Sequence, residues 1–563
     1  MPLGRWTLYF AYLTAFWSGA TMLSLEITGS RLLAPYYGAG LYVWSSLLVA
    51  TMTGLGLGYH IGGRLADYNH GQNLIKVLFI VGISLLLVVM LQESIIVLSA
   101  RLGLRWGSLA AATAILGPPL TFLGVLTPCI LAFVHNDPKR VGKDAGRLYS
   151  IGTFGSLAGG LATGFVFLEY LSTNMLLAIC GGLAILLGIF WIVPFRRQSW
   201  PSALLILGLL GVTVPLLHWH SFGKPGFPNR RPQKSLWTSN SVIGEVQVAE
   251  VGLHDQKGGL HTTRILMIDG RDQTIMEVRK EGDSPIALPR TGGSWNSFAY
   301  DFQMVRRFRP EAKNVLVIGL GGGLLPLSLA QDGMNVDVVE IHPDVIKAAC
   351  SYFLDFPPVR RASCRTRNGW TEVEITQDGV KARLQVTQAD ARSFIRSSER
   401  RYDIVICNAI RGDVPPAHLY SVESLSEMRD LLNPKGILAL NLLAGSRGDE
   451  GLATSSVEKT LGSILPFVRT FSRFVEPKDP ERSFGDVYLF ASGADLVPEP
   501  WPGSKPEEAG LSLEQRYADE ILTHEFVLSI KDAVLLSDSF NPLDIWLAHN
   551  SLRWFEAIEK NWK

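Results

Sequence analysis

The chain has 563 residues, 47% of them hydrophobic, and its 52 lysines and arginines nearly balance its 51 aspartates and glutamates. This length exceeds that of one ordinary domain, and this composition excludes a disordered chain. The near-zero net charge argues against nucleic acid as a partner, because nucleic-acid binding depends on a local excess of positive charge.

Charged residues are distributed unevenly along the chain. Residues 1–220 contain 12 Lys/Arg and 6 Asp/Glu, whereas residues 221–563 contain 40 and 45. The first part therefore has the composition of a protein in lipid. Apolar stretches of about 20 residues, the length that a helix needs to cross the hydrocarbon core, recur near 6–25, 41–63, 74–98, 107–134, 148–168, 174–195 and 201–218.

These stretches predict an α-helical transmembrane bundle of about seven helices over residues 1–220. We expect a multi-pass protein of the cell membrane, the inner membrane in a bacterium, with the lipid bilayer as a partner. With seven spans, the positive-inside rule places the soluble half outside the cytoplasm, unless one span is re-entrant or the helix at Gly117-Pro118-Pro119 is broken. The sequence therefore does not determine on which side of the membrane the soluble half lies. Glycine-rich runs at 54–67 and 152–164 have the small-xxx-small spacing that lets helices pack closely.

The soluble half begins with a connector and a predicted small β-subdomain, over residues 221–285. A segment rich in proline, arginine and lysine (224–234) is followed by two stretches that alternate in hydrophobicity, 241–251 and 263–270. Such alternation is typical of β-strands with one buried face.

From Asn314 the pattern changes to strand, glycine turn, helix and strand. A buried strand at 315–318 leads into Gly319, Gly321 and Gly323, and Glu340 closes the next strand. This βαβ arrangement binds nucleotides, because glycines allow close approach of the backbone and a carboxylate at the second strand accepts hydrogen bonds from ribose hydroxyls. The glycine turn alone fits NAD, FAD and S-adenosyl sulfonium ligands.

Later elements favour the S-adenosyl sulfonium ligand. The segment 384–395 places Asp390 and Ala391 between a strand and a helix, where an acidic side chain can meet an adenine amino group, and further strands follow at 401–410 and 433–443. We predict a doubly wound, Rossmann-like S-adenosylmethionine-type α/β domain over residues 286–497, then a linker and C-terminal helical segment over 498–563. An arginine-rich stretch, 359–383, is expected to form a solvated loop.

Cysteine and histidine spacing indicates no metal site. The five cysteines lack a C-x-x-C pair or an even framework, and we expect them to be small core residues. The histidines show no i, i+4 pairing.

Together these residues carry a family resemblance. The segment from about Trp237 to Leu547 resembles spermidine synthases, the polyamine aminopropyltransferases, through IDGRDQ, VLVIGLGGG, VDVVEIHPDVI, ADAR, YDIVICNA and PPAHLYS. The N-terminal half resembles the multi-span module fused to spermidine synthase-like domains in bacteria, through FWSGATMLSLEITGSRLLAPYYG, GGRLAD and GRLYSIGTFGSLAGG. The segment LLSDSFNPLDIW (535–546) resembles the closing motif of that fused family.

The resemblance implies a membrane-bound enzyme that transfers an aminopropyl group from decarboxylated S-adenosylmethionine to a polyamine and releases methylthioadenosine. It further implies a homodimer, because the soluble enzymes of the family are commonly dimers. It also implies roles for individual residues: Gln273 and Glu340 at the nucleoside, Asp390 and Ala391 at the adenine, Gly319, Gly321 and Gly323 at the floor of the site, and Tyr300 and Tyr420 beside the acceptor channel.

One departure from the family pattern concerns the catalytic position. A polyamine nitrogen must lose a proton before it attacks, and the family uses an aspartate at the end of the fourth strand. That position is Asn408 here, and the family's second aspartate is Arg411, whereas Asp413 lies two residues further on and could supply one carboxylate. Alternatives are therefore a lyase or cyclase of S-adenosylmethionine or its decarboxylated form, a methyltransferase, or a transporter or sensor with a non-catalytic nucleoside-binding domain.

Overall fold

The computed structural model describes residues 5–37, 41–67, 70–134, 141–192, 234–241, 243–254, 260–278, 298–355, 360–377, 379–410, 415–445, 451–472, 484–501, 513–527 and 531–547. The chain divides into two compact units. The first comprises Met1–Phe227 with Asn240–Gly244, and the second comprises Pro228–Ser239 with Glu245–Lys563.

Long helices form the first unit. Within the described residues they are α1 (Arg5–Tyr37), α2 (Leu41–Ala66), α3 (His70–Ala100), α4 (Gly103–Val134), α5 (Val141–Ala162) and α7 (Thr173–Ile192). A π-helical turn, Thr163–Phe167, joins α5 to the short helix α6 (Leu168–Tyr170). Six of the seven predicted spans fall on these helices, and the seventh, 201–218, lies outside the described residues. Helix α4 runs through Pro118 and Pro119 without a break.

Among the residues that the structure describes, four helical segments are long and apolar enough to cross a membrane: Asn73–Ala100, Arg105–Val134, Val141–Phe167 and Thr173–Ile192. Helices α1 and α2 have comparable lengths. The N-terminal region is thus helical and consistent with a membrane module.

Helices α1 and α5 pack backbone to backbone along the second glycine-rich run. A Cβ atom added at Gly155 would lie 2.1 Å from the Phe16 carbonyl oxygen, and one at Gly159 would lie 2.4 Å from that of Ala20. The Ser156 hydroxyl donates to the Gly19 carbonyl at 3.0 Å. Only glycine permits this approach, so the small-xxx-small pattern positions the two helices as expected.

A single added methyl group tests this contact. We expect Gly159→Ala to lower the melting temperature of the full-length protein in detergent by several degrees, since overpacking of this kind costs about 1–3 kcal/mol. The matched control is Gly182→Ala on α7, where an added Cβ meets no atom within 4 Å and alanine has the higher helix propensity. Equal melting temperatures for the two variants would contradict the packing.

The small β-subdomain is a four-stranded sheet in which β2, β3 and β4 pair antiparallel. Its strands β1 (Lys234–Asn240), β2 (Glu245–His254), β3 (Leu260–Ile268) and β4 (Arg271–Val278) lie in that order. The prediction of a small β-subdomain is confirmed, and β1 and β4 add to the two predicted strands. A turn at Asp269-Gly270 connects β3 to β4, with both residues at positive φ.

A nine-stranded mixed sheet forms the centre of the second unit. Its order is β12-β13-β11-β10-β5-β6-β9-β8-β7. The strands are β5 (Asn314–Ile318), β6 (Asn335–Glu340), β7 (Arg360–Arg367), β8 (Trp370–Gln377), β9 (Val380–Gln388), β10 (Tyr402–Cys407), β11 (Leu432–Gly445), β12 (Phe467–Ser472) and β13 (Phe484–Ser492). The five central strands, β11-β10-β5-β6-β9, run parallel.

Short helices cover this sheet. They are Phe298–Asp301, Val305–Phe308, Leu324–Gln331, Pro343–Ala348, Ala391–Ser397, Val422–Asp430, Leu452–Gly462 and Leu513–Leu522, with 3-10 turns at Phe302–Met304 and Ala417–Leu419 and a π-helical turn at Ala349–Leu354. The predicted Rossmann-like fold is confirmed. After β5 the chain passes to β6 and β9 on one side and later to β10 and β11 on the other, so a crevice opens at the carboxyl ends of β5 and β10.

Two sequence-based expectations were wrong in this unit. The arginine-rich stretch expected to be a solvated loop forms the β7–β8 hairpin, because Arg360–Arg367 pairs in register with Trp370–Gln377. Two of the cysteines expected to be separate core residues, Cys350 and Cys364, form a disulfide with their Cα atoms 6.3 Å apart. Their proximity depends on the hairpin lying beside the Ala349–Leu354 turn, which their spacing in sequence does not reveal.

Candidate active site

The glycine loop follows β5 and is shaped by left-handed backbone. Gly319, Gly321 and Gly323 have φ values of +96°, +53° and +78°, a region in which residues with a Cβ atom are strained. The Gly319 amide donates to the Val339 carbonyl at 2.9 Å, which ties the loop to β6. Gly323 then precedes the helix Leu324–Gln331. The loop thus presents backbone at the crevice, as the sequence predicts.

Glu340 is the last residue of β6, and its side chain binds the backbone of the glycine loop. Its carboxylate oxygens accept from the backbone amides of Leu320 at 2.9 Å and His342 at 2.8 Å. Glu340 is 8% exposed. Burial raises the pKa of the Glu340 carboxyl above its ordinary value, although these backbone hydrogen bonds act in the opposite direction. Carboxylate oxygens have further lone pairs, which a ribose diol can use.

The β-subdomain contributes a wall to the loop through β4. The Thr274 hydroxyl accepts from the Gly322 amide at 2.8 Å, and a Cβ atom at Gly322 would lie 2.7 Å from Thr274 Cγ2. Gln273 precedes Thr274 and its Nε2 donates to the Asp272 carbonyl at 3.4 Å. The predicted nucleoside residue Gln273 is therefore carried by a strand that contacts the glycine loop.

Asp390 follows β9 and begins the next helix. Its carboxylate accepts from the Ser393 amide at 2.9 Å, so it is the N-cap of Ala391–Ser397. Burial raises the pKa of Asp390, but the hydrogen bonds from Ser393 and the nearby His418 outweigh that effect, and the pKa lies below the ordinary 3.8. The Ala389 amide donates to the Glu340 carbonyl at 3.1 Å. Asp390 and Ala391 thus lie beside the strand end that carries Glu340.

Asn408 follows β10 at the crevice. Its backbone amide donates to the Ile318 carbonyl at 2.9 Å, and its own carbonyl oxygen would lie 2.6 Å from a Cβ atom at Gly319. The position is therefore in contact with the glycine loop. Cys407 immediately before it is fully buried, and burial raises the pKa of its thiol to about 11, so it carries no thiolate at neutral pH.

The two predicted acceptor-channel tyrosines have different surroundings. Tyr300 is 8% exposed and its ring centroid is 6.1 Å from that of Tyr517. Tyr420 is fully buried and its hydroxyl donates to the Asn441 carbonyl at 2.8 Å. Tyr420 packs in the core cluster of Cys407 and Leu440. The acceptor roles of both tyrosines stay predictions, and Asp413 lies outside the described residues.

Sequence reasoning missed several polar residues near these positions. The Asn441 side chain bridges Asn408 and Asp486, and the Tyr488 hydroxyl donates to the fully buried Asp301 carboxylate at 3.0 Å. The last contact joins the helix that carries Tyr300 to β13. The sequence signal that could have identified Asn441 is a polar residue inside an otherwise apolar strand, ILALNLL. Within the described ranges, histidine, cysteine, aspartate and glutamate side chains form no group of three that could hold a metal ion.

The C-terminal motif packs against the helix that follows Asp390. Arg392 donates through both terminal nitrogens to Asp538, at 2.7 and 2.6 Å, and Ser421 donates to the same carboxylate at 2.6 Å. The Asn541 amide donates to the Ala417 carbonyl at 2.7 Å. Asp538 thereby joins the segments that carry Asp390 and Tyr420.

The Asp538 contact predicts a pH dependence of stability. Hydrogen bonds from Arg392 and Ser421 lower the pKa of Asp538 to about 2. A lowered folded-state pKa gives stability that is present above the ordinary 3.8 and is lost as the pH falls towards about 2. We expect Asp538→Asn to lower the melting temperature at pH 7, and the difference from wild type to shrink below about pH 4. Exposed Asp532 offers the control Asp532→Asn; a constant difference for Asp538→Asn would argue against the contact.

Comparison with known proteins agrees with this geometry. Residues 302–442 match the family model described as spermine/spermidine synthase domain. A polyamine aminopropyltransferase of Vibrio vulnificus is 28% identical over 246 residues, covering 42% of this chain and 71% of that protein. An N-terminal histidine N-methyltransferase of Emericella nidulans is 30% identical over 207 residues, covering 34% of this chain and only 32% of that protein.

Among solved structures, a probable spermidine synthase from Corynebacterium glutamicum is similar, with 15% identity and a TM-score of 0.33, covering 48% of this chain and 81% of that one. Residues 302–442 therefore match the spermine/spermidine synthase domain family, and an apolar helical region precedes them in the chain.

Proposed function

We propose that this protein is a membrane-bound aminopropyltransferase of the spermidine synthase type. Its donor would be decarboxylated S-adenosylmethionine, its acceptor a polyamine, and its product methylthioadenosine. The observation that supports this best is the nucleoside cradle at the ends of β5, β6 and β9, which lies inside the matched spermidine synthase domain.

The cradle would hold the nucleoside through three kinds of contact. Glu340 would accept from the ribose hydroxyls, with Gln273 beside it, and Asp390 and Ala391 would meet the adenine edge. The glycine loop would pass under the sulfonium substituents, since no side chain rises from Gly319, Gly321 or Gly323. Carboxylates suit this site because two hydroxyl donors and an amino donor all need acceptors.

The transfer itself is a displacement at carbon. The lone pair of an uncharged acceptor nitrogen attacks the CH₂ group bonded to sulfur, the C–N bond forms as the C–S bond breaks, and the bonding pair returns to sulfur. Neutral methylthioadenosine leaves, and the new ammonium group releases a proton. Asn408 cannot take that proton, so the proposal assigns it to Asp413, with Tyr300 and Tyr420 beside the acceptor channel.

We further infer that the protein works in the cell membrane, held there by its apolar helices. A homodimer is expected from the resemblance to soluble spermidine synthases. The four candidate spans support the membrane assignment.

Product analysis tests the proposal. The purified full-length protein is incubated with decarboxylated S-adenosylmethionine or with S-adenosylmethionine, each with and without putrescine or spermidine, and the products are identified by mass spectrometry. We expect methylthioadenosine together with the extended polyamine, and only when an acceptor is present. A binding-competent protein that gives no product with any donor would contradict the enzyme assignment and favour a sensor or transporter.

A second candidate function is favoured by the amide at position 408. Intramolecular attack by a carboxylate of S-adenosylmethionine needs no base, so a lyase or cyclase would tolerate Asn408. Methylthioadenosine formed without any acceptor would identify that reaction, whereas S-adenosylhomocysteine would identify a methyltransferase.

A further inference from the structure

Three polar side chains lie in a row across the carboxyl end of the sheet. Asn441 Nδ2 is 2.9 Å from Asn408 Oδ1 and 3.3 Å from Asp486 Oδ1. Asn441 is 1% exposed, whereas Asn408 is partly exposed. The row therefore runs from the candidate acceptor side of the crevice into the protein.

Asp486 fixes which way both amides point. A carboxylate only accepts hydrogen bonds, so the Asn441 atom facing it must be the NH₂ group. The same NH₂ group faces Asn408, which must therefore present its oxygen to Asn441. This orientation leaves Asn441 Oδ1 buried without a partner among the described residues, which is unfavourable, yet the reverse would place that oxygen against the carboxylate.

The consequence is that Asn408 offers an N–H to the crevice. Its oxygen is engaged by Asn441, and its Nδ2 makes no hydrogen bond within the described part of the chain. An amide N–H repels an ammonium group and donates to an anionic oxygen. The residue three positions later in sequence is Arg411, which has the same preference for anions.

We propose that position 408 receives a carboxylate of the substrate, where spermidine synthases receive an ammonium group. This inference rests on the sulfonium chemistry of the proposed function, and it replaces one of the two substrates named there, the diamine acceptor or the decarboxylated donor, by its carboxylated counterpart. The carboxylate has two sources. It belongs either to the acceptor, which is then an amino acid such as ornithine in place of a diamine, or to the donor, which is then S-adenosylmethionine that has kept its carboxylate.

Paired ligands that differ only in this carboxylate test the proposal by binding. Calorimetry on the full-length protein compares ornithine with putrescine in the presence of methylthioadenosine, and S-adenosylmethionine with its decarboxylated form. In one of the two pairs, we expect the carboxylated ligand to bind at least about tenfold more tightly than the ligand without the carboxylate, as for a charge-assisted hydrogen bond. A preference in the first pair identifies the acceptor as the source, and in the second pair the donor.

Asn408→Asp is the decisive variant. Asn441 can donate to the new carboxylate as it does to the amide, so we expect the preference to disappear or reverse in favour of the ammonium ligand. The matched control is Asn335→Asp, an exposed asparagine at the start of β6, which should leave both ratios unchanged. Asp486→Asn frees Asn441 to turn and should weaken the preference, which would mark Asp486 as a positioning residue.

The outcomes separate this inference from the proposed function. Equal binding within both pairs, tighter binding of the decarboxylated ligands, or a preference unchanged in Asn408→Asp would overturn the carboxylate assignment. Absence of methylthioadenosine formation with every pair would overturn the enzyme proposal while leaving a measured binding preference intact.

Discussion

Replacement of Glu340 by glutamine is expected to weaken methylthioadenosine binding about 100-fold or more. The carboxylate accepts from the Leu320 and His342 amides and has the remaining lone pairs for the ribose. Glutamine offers only one acceptor oxygen, and its NH₂ group would face a backbone N–H or a ribose hydroxyl in place of an acceptor. Both the shape of the loop and the ribose contact would therefore suffer. Calorimetric titration of the full-length variant gives the affinity.

The control for this experiment is Glu311→Gln, because Glu311 is exposed in the turn before β5. It should bind methylthioadenosine as the wild type does. Affinity within about threefold of wild type for Glu340→Gln, with an unchanged melting temperature, would rule out Glu340 as the ribose acceptor.

Wild-type affinity should also fall as the pH is lowered towards the raised Glu340 pKa, because protonation removes an acceptor. The stability effect has the opposite sign. A raised folded-state pKa stabilises the protein below the ordinary carboxyl value, and that contribution is lost as the pH rises through the folded pKa.

Gly319→Ala is expected to abolish nucleoside binding and to destabilise the protein strongly. The added Cβ would lie 2.6 Å from the Asn408 carbonyl oxygen and 3.0 Å from its carbonyl carbon. Both are backbone atoms of an adjacent strand end, so neither can yield as a flexible side chain does. The φ of +96° adds strain of about 1–2 kcal/mol for a residue with a Cβ atom. The melting temperature and methylthioadenosine affinity of the full-length variant provide the readouts.

Gly333→Ala separates strain from collision. Gly333 also has a positive φ, +84°, but an added Cβ there meets no atom within 4 Å. Gly333→Ala should lose only the stability that backbone strain at a positive φ costs, and it should bind methylthioadenosine as tightly as the wild type does. If the two variants lost equal stability and both bound methylthioadenosine, the close approach of the glycine loop to Asn408 would be disproved.

Sequence patterns predicted the structural elements that depend only on residues close together in the chain. The run from Asn314 to Glu340 contains a buried strand, a glycine turn and a second strand, and each forms where the pattern indicates. The glycine-rich run at 152–164 likewise predicted close helix packing. In both cases backbone sterics decide the outcome, and glycine reports those sterics directly.

Contacts between distant segments were not predictable in the same way. Cys350 and Cys364 meet only because a hairpin folds back, and Arg392 meets Asp538 although 146 residues separate them. The hydrogen bond from the buried Tyr420 hydroxyl to the Asn441 carbonyl is a further contact of this kind. Such partners depend on strand order, which a single sequence does not encode locally.

The sequence by itself determined that this chain joins apolar helices to a Rossmann-like nucleotide domain, and that an asparagine occupies the position of the expected catalytic aspartate. Only the tertiary structure decided how the side-chain amide of that asparagine is oriented. Strands β10, β11 and β13 bring Asn408, Asn441 and Asp486 into one row. Because a carboxylate can only accept hydrogen bonds, the last residue of that row sets the direction of the first.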